Sequence, residues 1–378
     1  MEPCILYQDE EASVILLDIP RSIELAQGHH KYRIVSSEPL RSPFPSVEPK
    51  SAKAKANLKE VPIEDLVLQK HLQLALNSVA ENYSCEWSLP RTTKDPQNTD
   101  VEIGNGKRKR VDEGLTVANS GILEKSTFKW DQKECTSLER EFPCLSQNAT
   151  QSSIFIKPMP TELLVRMPPY SSALEGDIAQ TITTFSSTAP KFDLIVLDPP
   201  WPNRSARRKQ AYGITYSTSE INQLLSSIPI EDHMVDNGLV AVWVTNKVAF
   251  QELILGEGGL FDHWGIELNE KWVWLKVTTA GEPICPLDSV WRKPYEILLV
   301  GRKRVQEAST PQIKTKVVIG VPDMHSRKPN LKHLFAAMED KPNILGLEIF
   351  ARNLTAGWWA WGNEVFKFQA EEHWKDDY

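Results

Sequence analysis

Four consecutive residues, Asp198, Pro199, Pro200 and Trp201, follow the apolar run Phe192–Leu197 and carry the clearest chemistry in this sequence. The Asp198 carboxylate and the carbonyls of the two prolines, which lack N–H groups of their own, place hydrogen-bond acceptors in one turn. The indole of Trp201 offers a flat face on which a base can stack, worth about 1 to 3 kcal/mol. Such a set suits an amine whose lone pair is delocalised into an aromatic ring, because acceptors that draw its hydrogens make the nitrogen available for attack. The motif therefore predicts group transfer to a planar amine, helped by positioning alone.

The apolar run explains how the motif would be held. Leu194 to Leu197 is too short and too β-branched for a helix, and we expect a central strand of a parallel sheet, covered on both faces. The two prolines end that strand and would project Asp198 from its carboxyl edge. In open α/β sheets this edge is where ligands bind.

Alternating apolar runs and helical patterns fill the chain from about residue 151 to residue 378. Six runs have the character of strands and three segments that of helices. The strand runs begin at Phe192, Gly238, Asn269, Tyr295, Thr315 and Leu345, and the helical segments begin at Ser219, Lys247 and Asn330. The alternation predicts an α/β fold with a mostly parallel, doubly wound sheet. We place the function in this part and treat residues 1–150 as a separate N-terminal region.

The N-terminal region has two polar stretches, residues 36–59 and 90–151, whose composition predicts partly disordered linkers. Residues 12–25 are expected to supply a strand or hairpin, and Ile63 to Val79 a packing helix. The block Lys107–Arg110 is either a solvated charge run, a nuclear import signal or a nucleic-acid patch. We favour import, which predicts a nuclear protein with the cytosol as a second location.

The composition of the whole chain limits the classes of function. With 378 residues, 41% hydrophobic and 25% charged, it is that of a soluble globular protein. The net charge of −7 gives no global attraction to nucleic acid, so such binding must come from local basic clusters. No segment is long and apolar enough for a bilayer, and we expect no membrane association. The five scattered cysteines show no ligand spacing, which predicts reduced thiols and no metal site.

One local basic cluster follows Trp201 directly. It places basic residues beside aromatic ones: Arg204, Arg207, Arg208, Lys209, Tyr212 and Tyr216. Alone it would be a solvated loop, but beside Asp198 it favours a phosphodiester track with base stacking. A base within a duplex reaches Asp198 only if it is flipped out. We therefore expect single-stranded or locally opened nucleic acid as the substrate.

Five segments make the sequence resemble a known family. They are FDLIVLDPPW, WVTN, PLDSVWRKPYEILLVGR, HSRKP and LEIFARNLTAGWWAWGNEVFKF, and they cover most of residues 175–368 in the family's order. The family is that of the adenine-N6 methyltransferases typified by the seventy-kilodalton catalytic subunit of the mRNA adenosine methyltransferase, and within it the branch of methyltransferase-like protein four. The resemblance implies a Rossmann-like, circularly permuted methyltransferase domain, in which the donor-binding strand LGLEIFAR follows the catalytic strand. In agreement, no glycine-rich G-x-G-x-x-G loop precedes Asp198.

The resemblance also implies S-adenosylmethionine as the methyl donor. Six residues match donor-binding positions of the family: Asp177 and Ile178 at the adenine, Lys328 at the carboxylate, Arg352 at the ribose, and Asn363 and Glu364 closing over the ribose. Without the family, Asp177 would simply start a helix or loop and Lys328 would cap a surface helix. Family members also carry glutamine in place of Glu364, but an acid there is reasonable because two ribose hydroxyls need acceptors.

On the acceptor side, Glu296 matches an acid near the substrate adenine, with Arg292 and Lys293 as plausible phosphate partners. The implied substrate is adenosine, including 2′-O-methyladenosine, in RNA such as small nuclear RNA, with DNA adenine as a second class. Two alternatives stay open: a protein glutamine-amide methyltransferase, which the basic loop disfavours, and a catalytically silent nucleic-acid-binding scaffold, which the intact motif disfavours. The sequence does not require a protein partner.

Overall fold

The computed structural model describes residues 3–28, 31–45, 62–93, 142, 144–158, 163–202, 217–289, 292–304 and 312–376. The strands in these ranges are β1 (Ile5–Gln8), β2 (Val14–Leu17), β3 (Tyr32–Ser36), β4 (Thr92–Thr93), β5 (Leu145–Gln147), β6 (Ile154–Ile156), β7 (Val165–Met167), β8 (Ser172–Glu175), β9 (Phe192–Leu197), β10 (Met234–Val244), β11 (Ile266–Lys276), β12 (Tyr295–Lys303), β13 (Lys314–Gly320), β14 (Gly346–Ile349), β15 (Trp359–Gly362) and β16 (Trp374–Asp376). The helices are α1 (Ile19–Ala26), α2 (Ile63–Asn82), α3 (Ile178–Thr188), α4 (Thr218–Ser227), α5 (Val248–Leu255), α6 (Leu260–His263) and α7 (Lys332–Met338). None of these helices is long and apolar enough to span a membrane.

An eleven-stranded sheet forms the centre of the fold, in the order β1-β2-β13-β11-β12-β10-β9-β14-β15-β8-β5. The pairings from β10 through β9, β14 and β15 to β8 are parallel, and so are those joining β11, β13 and β2. Strand β12 lies between the two groups and is antiparallel to both of its neighbours. The predicted mostly parallel sheet is confirmed, and eight of its strands end at one edge.

Hydrophobic alternation along the strands creates two cores, one on each face of the sheet. In β9, Ile195 and Leu197 belong to one core, and Leu194 and Val196 belong to the other. Helices α2 to α6 supply buried side chains to the first core, and α1 and α7 supply them to the second. Because both faces are covered by helices, the sheet is doubly wound and its central strands β9 and β14 are mostly apolar.

The N-terminal region contributes to this sheet. Residues 12–25, expected to supply a strand or hairpin, supply the strand β2 and then most of helix α1. The hairpin partner of β2 is the earlier strand β1, and β2 also pairs in parallel with β13. Strand β5 completes the opposite edge beside β8. The sheet therefore includes strands from both sides of the division that we predict near residue 150, whereas the basic block Lys107–Arg110 and most of the two polar stretches lie outside the described residues.

Candidate active site

Charged side chains gather on one face of the sheet at the edge where the parallel strands end. Asp198 follows β9, Glu348 lies in β14 and Lys276 is the last residue of β11. Strand β12 runs the opposite way, so Glu296, near its beginning, reaches the same edge. By the two-residue alternation of strands, these four residues continue the face occupied by the second core. The sheet thus brings together residues that are far apart in the sequence.

Lys328 reaches this edge from the loop between β13 and α7. The preceding Arg327 is buried and pairs with Asp323 at 2.6 Å, and it also donates to the carbonyl of Val35 at 2.8 Å. On the other side of Lys328, the Asn330 N–H donates to Ser22 Oγ at 3.0 Å. The N-terminal segment therefore braces the loop that presents Lys328.

The charged groups form a chain of alternating sign. Lys328 Nζ lies 2.8 Å from Asp198 Oδ1 and 3.1 Å from Glu296 Oε2. The other oxygen of Glu296, Oε1, accepts a hydrogen bond from Lys276 Nζ. The Asp198 and Lys328 side chains are each 18% exposed, so these pairs are better shielded than ordinary surface ion pairs. The result is an ordered sequence of two acids and two lysines that includes the expected catalytic carboxylate.

Two tryptophans lie beneath the lysines. Lys328 Nζ is 5.0 Å from the ring centroid of Trp243, and Lys276 Nζ is 4.4 Å from that of Trp274. The two rings pack edge to face with their centroids 6.0 Å apart. Cation–π attraction adds to the ion pairs and restricts both ammonium groups.

The pairings shift the pKa values of the paired groups. Burial alone would raise the pKa of Glu296, but Lys328 and Lys276 outweigh it and lower that pKa to about 2. Burial would lower the pKa of Lys328, yet Asp198 and Glu296 together raise it. Glu296 and Lys328 are therefore both charged throughout the physiological pH range.

Glu348 is the exception among the acids. It lines a small cavity together with Val196, Trp243, Lys328, Pro329, Asn330, Leu331, Asn353 and Trp358. Burial, and then the nearby charge of Asp198, raise its pKa to about 7, although Arg352 and Lys328 partly offset this. Its carboxyl group makes no hydrogen bond to the described residues. Glu348 is consequently a partly protonated acid at neutral pH.

The Asp-Pro-Pro-Trp turn is tied into the sheet. Asp198 N–H donates to the Ile349 carbonyl at 3.3 Å, and Trp201 N–H donates to the Pro199 carbonyl at 2.8 Å. The Trp201 indole N–H donates to the Trp243 carbonyl at 2.7 Å. One side of the Trp201 ring stacks on Phe250 at 4.8 Å. Two of the groups expected to face the substrate, the Pro199 carbonyl and one face of Trp201, therefore also hold the turn together, while Pro200 is partly exposed beside them.

The residues expected at the donor's ribose lie at the same edge. Arg352 Nε pairs with Glu364 Oε2 at 3.1 Å, and Arg352 Nη1 donates to the Ser326 carbonyl at 3.0 Å. Burial would raise the pKa of Glu364, but Lys367 and Arg352 lower it, which keeps its carboxylate an acceptor. Asn363 is exposed beside it. Asn363 and Glu364 can together accept hydrogen bonds from two hydroxyls, as the resemblance implies.

Asp177 and Ile178 begin α3. The Asp177 carboxylate accepts from the backbone N–H groups of Ala179 at 3.0 Å and Gln180 at 3.4 Å, so it caps the helix. Ile178 is buried in the first core. Asp177 therefore starts a helix, which is the role expected for it without the family. An adenine bound here would share a carboxylate that already accepts two hydrogen bonds.

Two backbone positions at this edge are strained or crowded. Phe350, directly after β14, adopts φ 63°, a left-handed conformation that is costly for a residue with a side chain. Gly362, at the end of β15, has φ 148°, and a Cβ there would lie 3.2 Å from Phe350 Cα. With an ammonium for a carboxylate at Lys328 and acceptors for hydroxyls at Glu364, the residues present match the groups of S-adenosylmethionine.

The residues expected to bind the substrate lie in different surroundings. Lys293 lies 3.4 Å from Asp65 in the first turn of α2 and is only 14% exposed, so it fastens that helix and is poorly placed to bind phosphate. Arg292 is exposed and lies over the ring of Phe44 at 5.4 Å. The remaining candidates, Arg204, Arg207, Arg208, Lys209, Tyr212 and Tyr216, lie outside the described residues.

Two functional candidates, Lys276 and Glu348, were not singled out from the sequence. Glu348 is the one charged residue within the apolar strand LGLEI, a signal that could have identified it. Lys276 ends the run WVWLK, which predicts a strand end but not a partner. Its place in the charged chain depends on the pairing of β11 with β12.

Known proteins resemble this chain over different parts of its length. Residues 192–364 match the MT-A70 family. A Cryphonectria parasitica protein named N6-methyladenosine RNA methyltransferase MTA1 is 38% identical over an alignment of 385 residues, gaps included, which covers 98% of this chain and 94% of the relative. The human protein named N(6)-adenine-specific methyltransferase METTL4 is 39% identical over 54% of this chain and 43% of its own. A Caenorhabditis elegans protein named DNA N6-methyl methyltransferase is 32% identical over 54% of each chain.

Proposed function

The chain belongs to the MT-A70 family, and from this membership and the geometry of the site we propose that it transfers a methyl group from S-adenosylmethionine to N6 of adenosine in RNA. The observation that carries the proposal is the 2.8 Å ion pair between Asp198 and Lys328. It joins the motif suited to an amine acceptor to the lysine suited to the donor's carboxylate, so both substrates would meet at one sheet edge.

RNA is favoured over DNA by the extent of the similarity. The relative named as an RNA methyltransferase matches 98% of this chain, including the N-terminal strands, whereas the relative named as a DNA methyltransferase matches 54%. The N-terminal segment braces the Lys328 loop, so a relative that shares it is the better guide to the whole site. Adenine in DNA remains the second candidate and is tested alongside RNA.

The donor would be held by groups already placed at the edge. Lys328 would pair with its carboxylate, and Glu364 and Asn363 would accept from the ribose hydroxyls, with Arg352 fixing Glu364 at 3.1 Å. Bound there, the donor supplies an electrophilic methyl carbon. Nothing covalent is asked of the protein, whose contribution is orientation of the acceptor nitrogen.

Asp198 is the acceptor for the adenine amine. Lys328 occupies its Oδ1, and Oδ2 has no hydrogen-bond partner among the described residues. Oδ2 can therefore accept an N–H of the exocyclic amine, which makes the nitrogen lone pair available for attack on the methyl carbon and gives the departing proton an acceptor. Trp201, held by Phe250 and the Trp243 carbonyl, provides a rigid wall beside this position.

The proposal is tested with labelled S-adenosylmethionine and matched oligonucleotides of RNA and DNA, each with and without a single adenine, followed by nucleoside mass spectrometry. An RNA carrying 2′-O-methyladenosine forms a further arm. The expected product is N6-methyladenosine in RNA, absent from the oligonucleotide without adenine. Equal transfer to DNA would remove the preference, and no transfer to either would contradict the proposal.

Nuclear import by the Lys107–Arg110 block is a separate part of the proposal. The block lies outside the described residues, and its support is the compact run of four basic side chains. The test is the distribution of a fluorescent fusion of the full chain, compared with one in which the four residues are replaced by alanine.

A further inference from the structure

Lys276 ends the charged chain of the site, but the proposed reaction gives it no role. It is the last residue of β11, and its ammonium donates to Oε1 of Glu296. The same carboxylate contacts Lys328 through its other oxygen at 3.1 Å. Glu296 is thus a bridge, and its two oxygens are held by two different lysines.

The bridge determines where the Lys328 ammonium lies. A carboxylate fixed at one oxygen has a defined position for the second, and here the second oxygen holds Lys328 from the side opposite Asp198. If Lys276 were absent, Glu296 would be free to rotate, and Lys328 would be drawn toward Asp198 alone. The charge balance of two acids against two lysines would also be lost.

The aromatic contacts make this arrangement specific to a long cation at position 276. Its ammonium lies 4.4 Å from the centroid of Trp274, which packs edge to face on the Trp243 ring beneath Lys328. Side chains of Lys276 and Glu296 are 21% and 28% exposed, so the pair is partly shielded from solvent. An arginine could preserve both the charge and the ring contact, whereas a methionine would preserve only the packing.

We infer that Lys276 is a positioning residue for the methyl donor: it fixes Glu296, and through Glu296 it sets the position of the Lys328 ammonium that pairs with the donor's carboxylate. The inference rests on the proposed function, because it takes Lys328 as a donor-binding group.

The test measures binding of S-adenosylhomocysteine by calorimetry, which needs no methyl transfer. Lys276→Met is expected to weaken binding about tenfold, the effect of losing one charge-assisted contact. Lys276→Arg is expected to restore most of the affinity. Lys271→Met, on the opposite face of the same strand, is the matched control and should bind within about twofold of the unmodified protein. Thermal unfolding of each variant separates loss of folding from loss of binding.

A double-mutant cycle then shows whether Lys276 acts through Glu296. In a Glu296→Gln background, adding Lys276→Met should change affinity by less than about twofold. A full tenfold further loss would overturn the inference, since Lys276 would then act on the ligand itself or on packing. Normal binding by Lys276→Met, or equal failure of the arginine and methionine variants, would overturn it as well.

A donor-free crystal structure of Lys276→Met separates this inference from the proposed function. The inference expects the Lys328–Glu296 contact to be lost while the Lys328–Asp198 contact remains. Retention of both contacts would overturn it, whatever the protein methylates. Failure of the unmodified protein to bind S-adenosylhomocysteine, by contrast, would contradict the proposed function itself.

Discussion

The half-buried acid Glu348 gives a prediction whose size follows from the structure. Burial and the charge of Asp198 raise its pKa from 4.5 to about 7. In the folded protein Glu348 therefore keeps its proton up to about pH 7, whereas in the unfolded chain it loses the proton near pH 4.5. The unfolded state gains stability by ionising across this window, so the free energy of unfolding falls as pH rises from about 4.5 to about 7.

The perturbation is Glu348→Gln, which removes ionisation while keeping the size and polarity of the side chain. A shift from 4.5 to about 7 corresponds to about 3 kcal/mol at about pH 7.5, when each pKa unit is taken as about 1.4 kcal/mol. At about pH 5 the same calculation gives less than about 1 kcal/mol. The variant should therefore become progressively more stable than the unmodified protein as pH rises, and the gain should level off above about pH 7.

The assay is urea unfolding followed by tryptophan fluorescence at several pH values between about 5 and 8. Glu257→Gln, on an exposed turn, is the control for the substitution itself. A difference between Glu348→Gln and the unmodified protein that does not change with pH would refute the reasoning. A difference that grows as pH falls would show that Glu348 is ionised in the folded state and stabilised by Arg352 or Lys328.

Three further substitutions, with a fourth as a control, test other parts of the structure. Asp198→Asn should lower kcat at least about a hundredfold in the RNA assay while S-adenosylhomocysteine binding by calorimetry stays within about threefold; equal loss of both would contradict the role given to Asp198. Gly362→Ala should cost about 1 to 3 kcal/mol in urea unfolding, because alanine is strained at φ 148° and its Cβ would crowd Phe350, and a neutral result would show that the edge can relax. Arg327→Met should cost about 1 to 3 kcal/mol, because the buried Asp323 carboxylate loses the closer of its two arginines but keeps Arg91 at 3.8 Å and the Ser37 N–H at 2.9 Å; the matched Lys341→Met, which removes a half-exposed pair with Asp193, should cost less than about 1 kcal/mol.

Much of the fold could be predicted because its signals are local. The strand expected at Leu194 to Leu197 is present as β9, which begins two residues earlier, and the helix expected over Ile63 to Val79 is present as Ile63–Asn82. The α4 helix begins at Thr218, directly after Ser217, and Ser217 and Glu220 form a capping box that four residues of sequence suffice to specify. Periodicity and capping act over a few residues, so they can be read without knowing the neighbours.

The candidate site was only partly predictable, because its contacts join residues that are far apart in the sequence. Asp198 and Lys328 stand 130 positions apart, and their contact exists because β9 lies inside the sheet and the loop after β13 folds over its end. The sequence suggests Lys293 as a phosphate ligand, but in the structure α2 places Asp65 beside it. Asp177 caps α3 with the same carboxylate that the resemblance assigns to an adenine.

By itself, the sequence determined the apolar strand, the abrupt Asp-Pro-Pro-Trp turn and the alternation of strands and helices that builds a doubly wound sheet. Only the tertiary structure decided that Lys276 and Glu296 continue the line of charge from Asp198 and Lys328, and that β1 and β2 close one edge of the same sheet. Strand order and register are set by the packing of whole elements, and a charge acquires its partner, its burial and its pKa only after that packing is complete.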